Sequence, residues 1–284
     1  MSLAFYKQQS LIAKDGVSIN YLYSDNPDFS QTVVLCPPVG LDETPMDAIA
    51  SSVYASGRNV LVFFGRPHST GAEYDYRKFG LQEQADDLLL ILDKIACANA
   101  AVVGWSTGGF FALKAAMSDQ RGRLGELVIL GMSSPYLMAK ANLTMTEGHQ
   151  SLYSITGAVW DNEKAAGPLL RLLLDAAASI ESLDEIDAAA IIMKRCEEDL
   201  GFFRQYAVLQ YQILREQTMF DNLGQLKNRV HVIAMEGDDM CGMDDTQSFY
   251  AALGENKKLD VFKGNHMDLI RSPEVVEHIT LLAA

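Results

Sequence analysis

The stretch Ala100-Ala101-Val102-Val103-Gly104-Trp105-Ser106-Thr107-Gly108-Gly109, continued by Phe110-Phe111-Ala112-Leu113-Lys114-Ala115-Ala116-Met117, decides how this chain folds. Its first four residues are an apolar run short enough for a buried strand, and Phe110 to Met117 read as a helix. Between them, Gly104-Trp105-Ser106-Thr107-Gly108 has the Gly-x-Ser-x-Gly spacing of a nucleophile elbow, a sharp turn from strand into helix. Such a turn strains the serine backbone, and a Cβ at either flanking glycine would strike the neighbouring strand or helix. The Ser106 hydroxyl is therefore expected above the sheet, over a helix N-terminus that favours developing negative charge. Five residues of this kind arise often by chance. The strand before them and the helix behind them give the pattern its meaning.

Outward from the elbow, strand-like runs recur at Thr32–Cys36, Asn59–Phe63, Glu126–Met132, Val230–Met235 and Lys258–Phe262. Helical segments separate them at about 45–56, 80–97 and 245–253, so the spacing predicts βαβ units and a mostly parallel sheet. In the 80–97 helix, Asp86, Asp87 and Asp93 are expected to face outward and the leucines inward. Residues 4–12 and 17–23 alternate around Lys14-Asp15-Gly16, a hairpin signal. Ser272 and Pro273 mark the start of a terminal helix. Between Ser133 and Leu226 the rhythm breaks. That stretch is dense in Ala, Leu, Met and acidic residues and reads as four or five helices inserted between two strands. The expected organisation is a core of residues 1–132 and 227–284 with a helical lid over residues 133–226.

Length and charge bound the rest. A chain of 284 residues buries a sizeable core, and a formal charge of -14 argues against nucleic acid or an anionic membrane as partner. Cys36, Cys97, Cys196 and Cys241 lack the spacing of a zinc site or a disulfide framework. No apolar stretch reaches the length of a membrane span, and no signal-peptide pattern opens the chain, so the expectation is a cytoplasmic protein.

The order of elements resembles the α/β-hydrolase fold over nearly the whole chain: a mostly parallel sheet flanked by helices, with an inserted helical cap. The resemblance implies a serine hydrolase whose triad runs serine, acid, histidine. Ser106 fits the nucleophile position, and a serine needs a base within hydrogen-bond reach. The family takes that base from the loop after the last strand, which here is Lys263-Gly264-Asn265-His266, so His266 fills the slot. Asn265 stands where the family commonly has glycine directly before the histidine. The acid follows the preceding strand, often as Gly-x-x-Asp. In Glu236-Gly237-Asp238-Asp239 the glycine is displaced by one; counting from the strand end selects Asp239, with Asp238 as the alternative. The rival location after Met132 offers only Ser133 and Ser134. The oxyanion hole takes the Thr107 amide and a second donor from the loop after Cys36. Pro37 and Pro38 have no N–H to give, which leaves Val39, unless Gly40 replaces it.

What the resemblance implies is hydrolysis of a carboxylic ester, thioester or lactone with an apolar acyl group, through an acyl-enzyme and without a cofactor or metal. The partner is then a small-molecule acyl substrate. The same residues also suit cofactor-free perhydrolysis, hydroxynitrile cleavage or carbon–carbon bond hydrolysis, and some relatives of the fold are non-catalytic ligand binders. An acyl-carrier protein is disfavoured as substrate by the overall acidity. His68, His149, His231 and His278 are read as structural or surface residues, His68 with the most reason for doubt because its loop borders the family's pocket. Cys36 and Cys241 are read as buried small residues near the site, and Trp105 and Phe110 as packing for the elbow. Met138, Met145, Tyr153, Trp160, Tyr206 and Tyr211 are the expected lid-side wall.

Overall fold

A computed structural model describes residues 3–66, 80–178 and 188–283. The strands are β1 Lys7–Ile12, β2 Ser18–Tyr23, β3 Thr32–Cys36, β4 Asn59–Phe63, β5 Ala100–Trp105, β6 Leu124–Leu130, β7 Val230–Met235 and β8 Lys257–Phe262. They form one eight-stranded sheet in the order β1-β2-β4-β3-β5-β6-β7-β8. The pairs β1/β2 and β2/β4 are antiparallel, and every pair from β4 to β8 is parallel. The Asp15-Gly16 hairpin forms as the alternation predicts, with Val17 N–H donating to Asp15 Oδ1. Residues of β3, β4 and β7 are buried throughout, because helices cover both faces of the central sheet.

The helices are α1 Asp47–Ala55, α2 Leu81–Lys94, α3 Gly108–Ser118, α4 Pro135–Lys140, α5 Glu147–Asp161, α6 Ala166–Ala178, α7 Ala188–Glu198, α8 Leu200–Leu214, α9 Thr218–Asp221, α10 Met243–Ala252, α11 Asp268–Arg271 and α12 Pro273–Leu282. Among the described residues six of these, α4 to α9, lie between β6 and β7, where four or five were expected. The additional ones are short: α4 opens on the Ser134 cap and α9 holds four residues. The terminal helix begins at Pro273 after Ser272.

One expectation about α2 is corrected. Asp87 faces inward, with its side chain 4% exposed, in a fork with Arg66: Nε to Oδ2 at 2.5 Å and Nη2 to Oδ1 at 2.9 Å. Helical periodicity places Asp87 on the buried face with Gln84, Leu88 and Ile91. A partner distant in sequence makes that burial affordable, since a bidentate guanidinium satisfies both carboxylate oxygens. Asp93 is the outward partner of Arg121, as expected.

Candidate active site

The turn between β5 and α3 is decided by space. A Cβ on Gly104 would lie 2.6 Å from Gly109 Cα, and one on Gly108 would lie 1.9 Å from the carbonyl oxygen of Cys36 on β3. Real Cβ atoms tolerate neither approach, so both positions exclude every side chain. Ser106 sits between them at φ +51°, a left-handed conformation that costs an L-residue about 1–3 kcal/mol. The turn is fixed by Ser106 N–H to Leu130 O at 2.8 Å and Gly109 N–H to Ser106 O at 2.9 Å. Trp105, Phe110 and Phe111 are fully buried beneath it and pack the elbow.

Two loops at the same end of the sheet bring up a histidine and a carboxylate. The β7 and β8 extensions are tied together by Glu236 N–H to Phe262 O and Gly237 N–H to Gly264 O, both 2.9 Å. Beyond Gly264, the Asn265 side chain accepts the Met267 N–H at 2.9 Å, a local turn that holds His266 between them. His266 Nδ1 lies 2.7 Å from Asp238 Oδ2, which leaves Nε2 as the ring atom open to the cavity. The partner of the histidine is therefore Asp238 and not Asp239. β7 ends at Met235 and the chain turns at once, with Asp238 N–H returning to Met235 O at 3.3 Å. The turn sends Asp238 inward, its side chain fully buried, while Asp239 is exposed at the cavity rim. Asp238 Oδ1 is satisfied in addition by Met240 N–H at 2.9 Å and Cys241 N–H at 2.7 Å, so the carboxylate is held rigidly. Counting along an extended strand misses this, because the strand has already stopped.

Opposite the elbow, Pro38 to Leu41 form a turn closed by Leu41 N–H to Pro38 O at 3.1 Å, with Gly40 at φ +87°. Val39 N–H points to the elbow but is engaged: it donates to Thr107 Oγ1 at 3.0 Å. Thr107 N–H has no acceptor among the described residues and stands one residue before α3. The loop is pressed onto the helices between β6 and β7. A Cβ on Gly40 would lie 2.8 Å from the Tyr206 ring, and Arg195 Nη1 donates to Gly40 O at 3.0 Å.

Ser106, Thr107, Val39 and His266 all line one cavity of about 640 Å³. Its far walls come from α5 to α8, with Leu152, Ile155, Leu173, Phe203 and Tyr206 making it predominantly apolar. Of the six residues expected on this wall only Tyr206 is there. Tyr153, Trp160 and Tyr211 cluster with one another, and Met138 packs under α10, where Ser248 Oγ is 3.4 Å from its sulfur. Periodicity marks such residues as buried without saying which surface buries them. A second cavity, of about 590 Å³, lies at the opposite end of the sheet beside Leu124, Lys227 and Arg229, and holds none of these groups.

Of the remaining histidines, His231 is paired with Glu126 at 2.9 Å and His278 with Asp260 at 3.0 Å, both away from the cavity. His68 lies outside the described residues. His149, on α5, borders a small annex of the cavity next to Ser106, a placement that sequence reasoning missed because its neighbours come from across the fold. Asp238, Cys241 and His266 are the one group among the described residues close enough together to suggest a metal. The donor set does not fit one. Both carboxylate oxygens are already hydrogen-bonded, and burial, reinforced by the nearby aspartates, holds the Cys241 thiol protonated far above its usual range. Burial likewise raises the Cys36 thiol and pushes that of Cys196 up to about 12.

The strand order and the helices on both faces give the chain the α/β-hydrolase fold. Solved structures sharing its fold include an esterase from Exiguobacterium antarcticum (TM-score 0.74, 13% identity, covering 98% of this chain and 100% of that one). Others are a meta-cleavage product hydrolase from Pseudomonas fluorescens IP01 (TM-score 0.67, 17% identity, 96% of each chain) and an N-acyl homoserine lactone degrading enzyme (TM-score 0.68, 20% identity, 95% of this chain and 98% of that one). Among curated proteins none matches the chain in sequence. The thioesterase domain family matches residues 79–282, well over half the chain, and the chain belongs to that family. It is a hydrolase of the ester-cleaving class. No helix among the described residues is long and apolar enough to cross a membrane.

Proposed function

We propose that the protein hydrolyses acyl thioesters, and more slowly the matching oxygen esters, with Ser106 as nucleophile, His266 as base and Asp238 as the carboxylate that orients it. One observation carries this reading: a serine held at positive φ opens into the same apolar cavity as a histidine whose Nδ1 is already fixed on a buried carboxylate. In the first step Ser106 Oγ bonds to the acyl carbonyl carbon, and His266 Nε2 takes the serine proton. Negative charge develops on the carbonyl oxygen and is met by Thr107 N–H. Val39 N–H joins once it leaves the Thr107 hydroxyl, so the second donor is exchanged from a neutral acceptor to an anionic one. Collapse breaks the carbon–sulfur bond, and His266 returns its proton to the departing thiolate. Water, deprotonated by the same ring, then releases the acid from the acyl-enzyme.

The helices between β6 and β7 act in this reading as a cap that seats an apolar acyl chain. Thioesters are preferred among the ester, thioester and lactone alternatives because the family is that of thioesterase domains, and because a thiolate leaves more readily than an alkoxide. The test is labelling with a fluorophosphonate, read by intact mass on wild type and Ser106→Ala, followed by a panel of thioesters, esters and lactones. Stoichiometric labelling that vanishes in the variant supports the reading. Well-folded wild type that takes up no label favours a ligand binder instead. The engaged Val39 N–H is the feature on which that second reading would rest.

A further inference from the structure

Beside the elbow the main cavity has an annex of about 20 Å³, room for one water-sized group. Ser106, Thr107, Leu152, Gln210 and Met240 line both spaces, so the annex opens at the nucleophile. Its other walls include His149 from α5 and Ser133 from the loop after β6. Two of its walls are deeply buried polar side chains. Gln210 is 2% exposed and His149 4% exposed, yet Gln210 Oε1 and His149 Nδ1 have no hydrogen-bond partner among the described residues. Gln210 is also out of keeping with its helix, where Phe202, Phe203, Ala207, Val208, Leu209, Ile213 and Leu214 are the other buried neighbours around Tyr206. A buried polar atom without a partner is costly to keep, and an apolar side chain of like size would remove the cost. Both unsatisfied atoms belong to side chains that face the same small space.

We infer that this annex is a specificity subsite for a hydroxyl group carried by the acyl chain one or two carbons from the scissile carbonyl. The inference rests on the proposed hydrolysis at Ser106. The chemistry of the walls selects the group. Asp245, 1% exposed, takes the hydrogen bond of Ser133 Oγ and lies 3.9 Å from His149 Nδ1, so an acidic side chain stands directly behind two walls of the annex and disfavours an anionic substituent. The volume excludes anything much larger than a hydroxyl. A hydroxyl both donates and accepts, so it gives its proton to Gln210 Oε1 and accepts from His149 Nδ1–H, in the tautomer that carries the proton on that nitrogen. The position at Ser106 and Thr107 places it near the carbonyl rather than at the far end of the chain. The substrates of the site are thus 2- or 3-hydroxyacyl thioesters.

The test compares kcat/KM for 3-hydroxyacyl and unsubstituted acyl N-acetylcysteamine thioesters of equal length, with the 2-hydroxy series in parallel. It uses wild type, Gln210→Leu and His149→Phe. Wild type should favour one hydroxyacyl series by about tenfold or more, because a site built to bond a hydroxyl rejects the analogue that lacks it. In both variants that ratio should fall toward one, whatever the absolute rates do, since impaired folding or chemistry lowers both substrates alike. A wild-type ratio near one with good turnover of both overturns the subsite and leaves the hydrolase reading intact. An equal loss of kcat on both substrates in the variants, with the ratio unchanged, also overturns it, and assigns the annex to a water. Absence of turnover and of fluorophosphonate labelling defeats the hydrolase reading and the subsite together.

Discussion

The sheet edge that carries Ser106, Asp238 and His266 and the helices that roof it are built on different principles. At the edge, geometry is over-determined. Two glycines have no room for a carbon atom, Asp238 accepts three hydrogen bonds, and the acid and histidine loops are bonded to each other. The roof is apolar in bulk and is joined to the edge by a few polar ties: Arg195 to Gly40 O, and Thr146 Oγ1 to Met240 O at 2.9 Å. A reaction that tolerates little positional error belongs on the first kind of structure. Under the proposed function, choice of acyl chain belongs on the second, where a change of side chain reshapes a wall without moving the sheet. Substitutions at the edge should accordingly act almost all-or-none, and substitutions in the roof by degrees.

The largest effects test the edge. Ser106→Ala should lower kcat on the order of 10⁶-fold and Asp238→Asn on the order of 10⁴-fold. Asp239→Asn should stay within a few-fold of wild type, as expected of an exposed carboxylate that does not touch His266. Steady-state kinetics on the three variants decides this, and equal losses at Asp238 and Asp239 would undo the contrast drawn between them. Next comes Gly108→Ala. Its methyl must displace the Cys36 carbonyl or the elbow itself, so it should cost about 3 kcal/mol or more in urea unfolding, if the variant folds at all. A near-neutral result would mean that the edge is softer than the packing indicates.

Smaller effects test the tie between the two regions. Arg195→Met removes the bond to Gly40 O and the guanidinium seated 4.3 Å from the Phe202 ring centroid. Activity should drop on the order of tenfold, through kcat more than KM, as the Val39 loop loses support. A change confined to KM would place Arg195 with the acyl wall instead. The smallest effect lies away from the site altogether. Burial, with the charges of Glu43 and Asp42, raises the Asp47 carboxyl from 3.8 to about 6. A carboxyl with a raised folded-state pKa costs the folded state once it ionises, so stability falls as pH rises from about 4 through about 6. Asp47→Asn should therefore raise the melting temperature slightly above pH 6, and the gain should disappear below about pH 4. A gain that persists at pH 4 would mean the effect is not ionisation.

Much of the edge could be read from residues alone. β3, β4 and β7 begin and end where the apolar runs do, because a strand covered on both faces must be apolar throughout. Ser106 was legible because the elbow excludes side chains at Gly104 and Gly108, a local steric demand written into local sequence. His266 followed from its place after the last strand. The roof was legible only as helices. Which of Tyr153, Trp160, Tyr206 and Tyr211 meets the cavity depends on how α5 and α8 lie together, and amphipathic spacing marks a buried face without naming what covers it.

Where the residues were silent, the deciding partner was remote or the deciding turn was tight. Asp87 is buried because Arg66 reaches it from another loop. Asp238, rather than its neighbour, meets His266 because the chain turns immediately after Met235. His149 and Gln210 come together from α5 and α8, sixty-one positions apart in the numbering, beside the serine of the elbow. Sequence by itself determined what short-range sterics and periodicity determine: the elbow, the strands and the slot for the histidine. The choice of carboxylate, the engagement of Val39 N–H by Thr107 and the polar annex were decided by tertiary structure alone, since each is a distance between groups that no local rule places together.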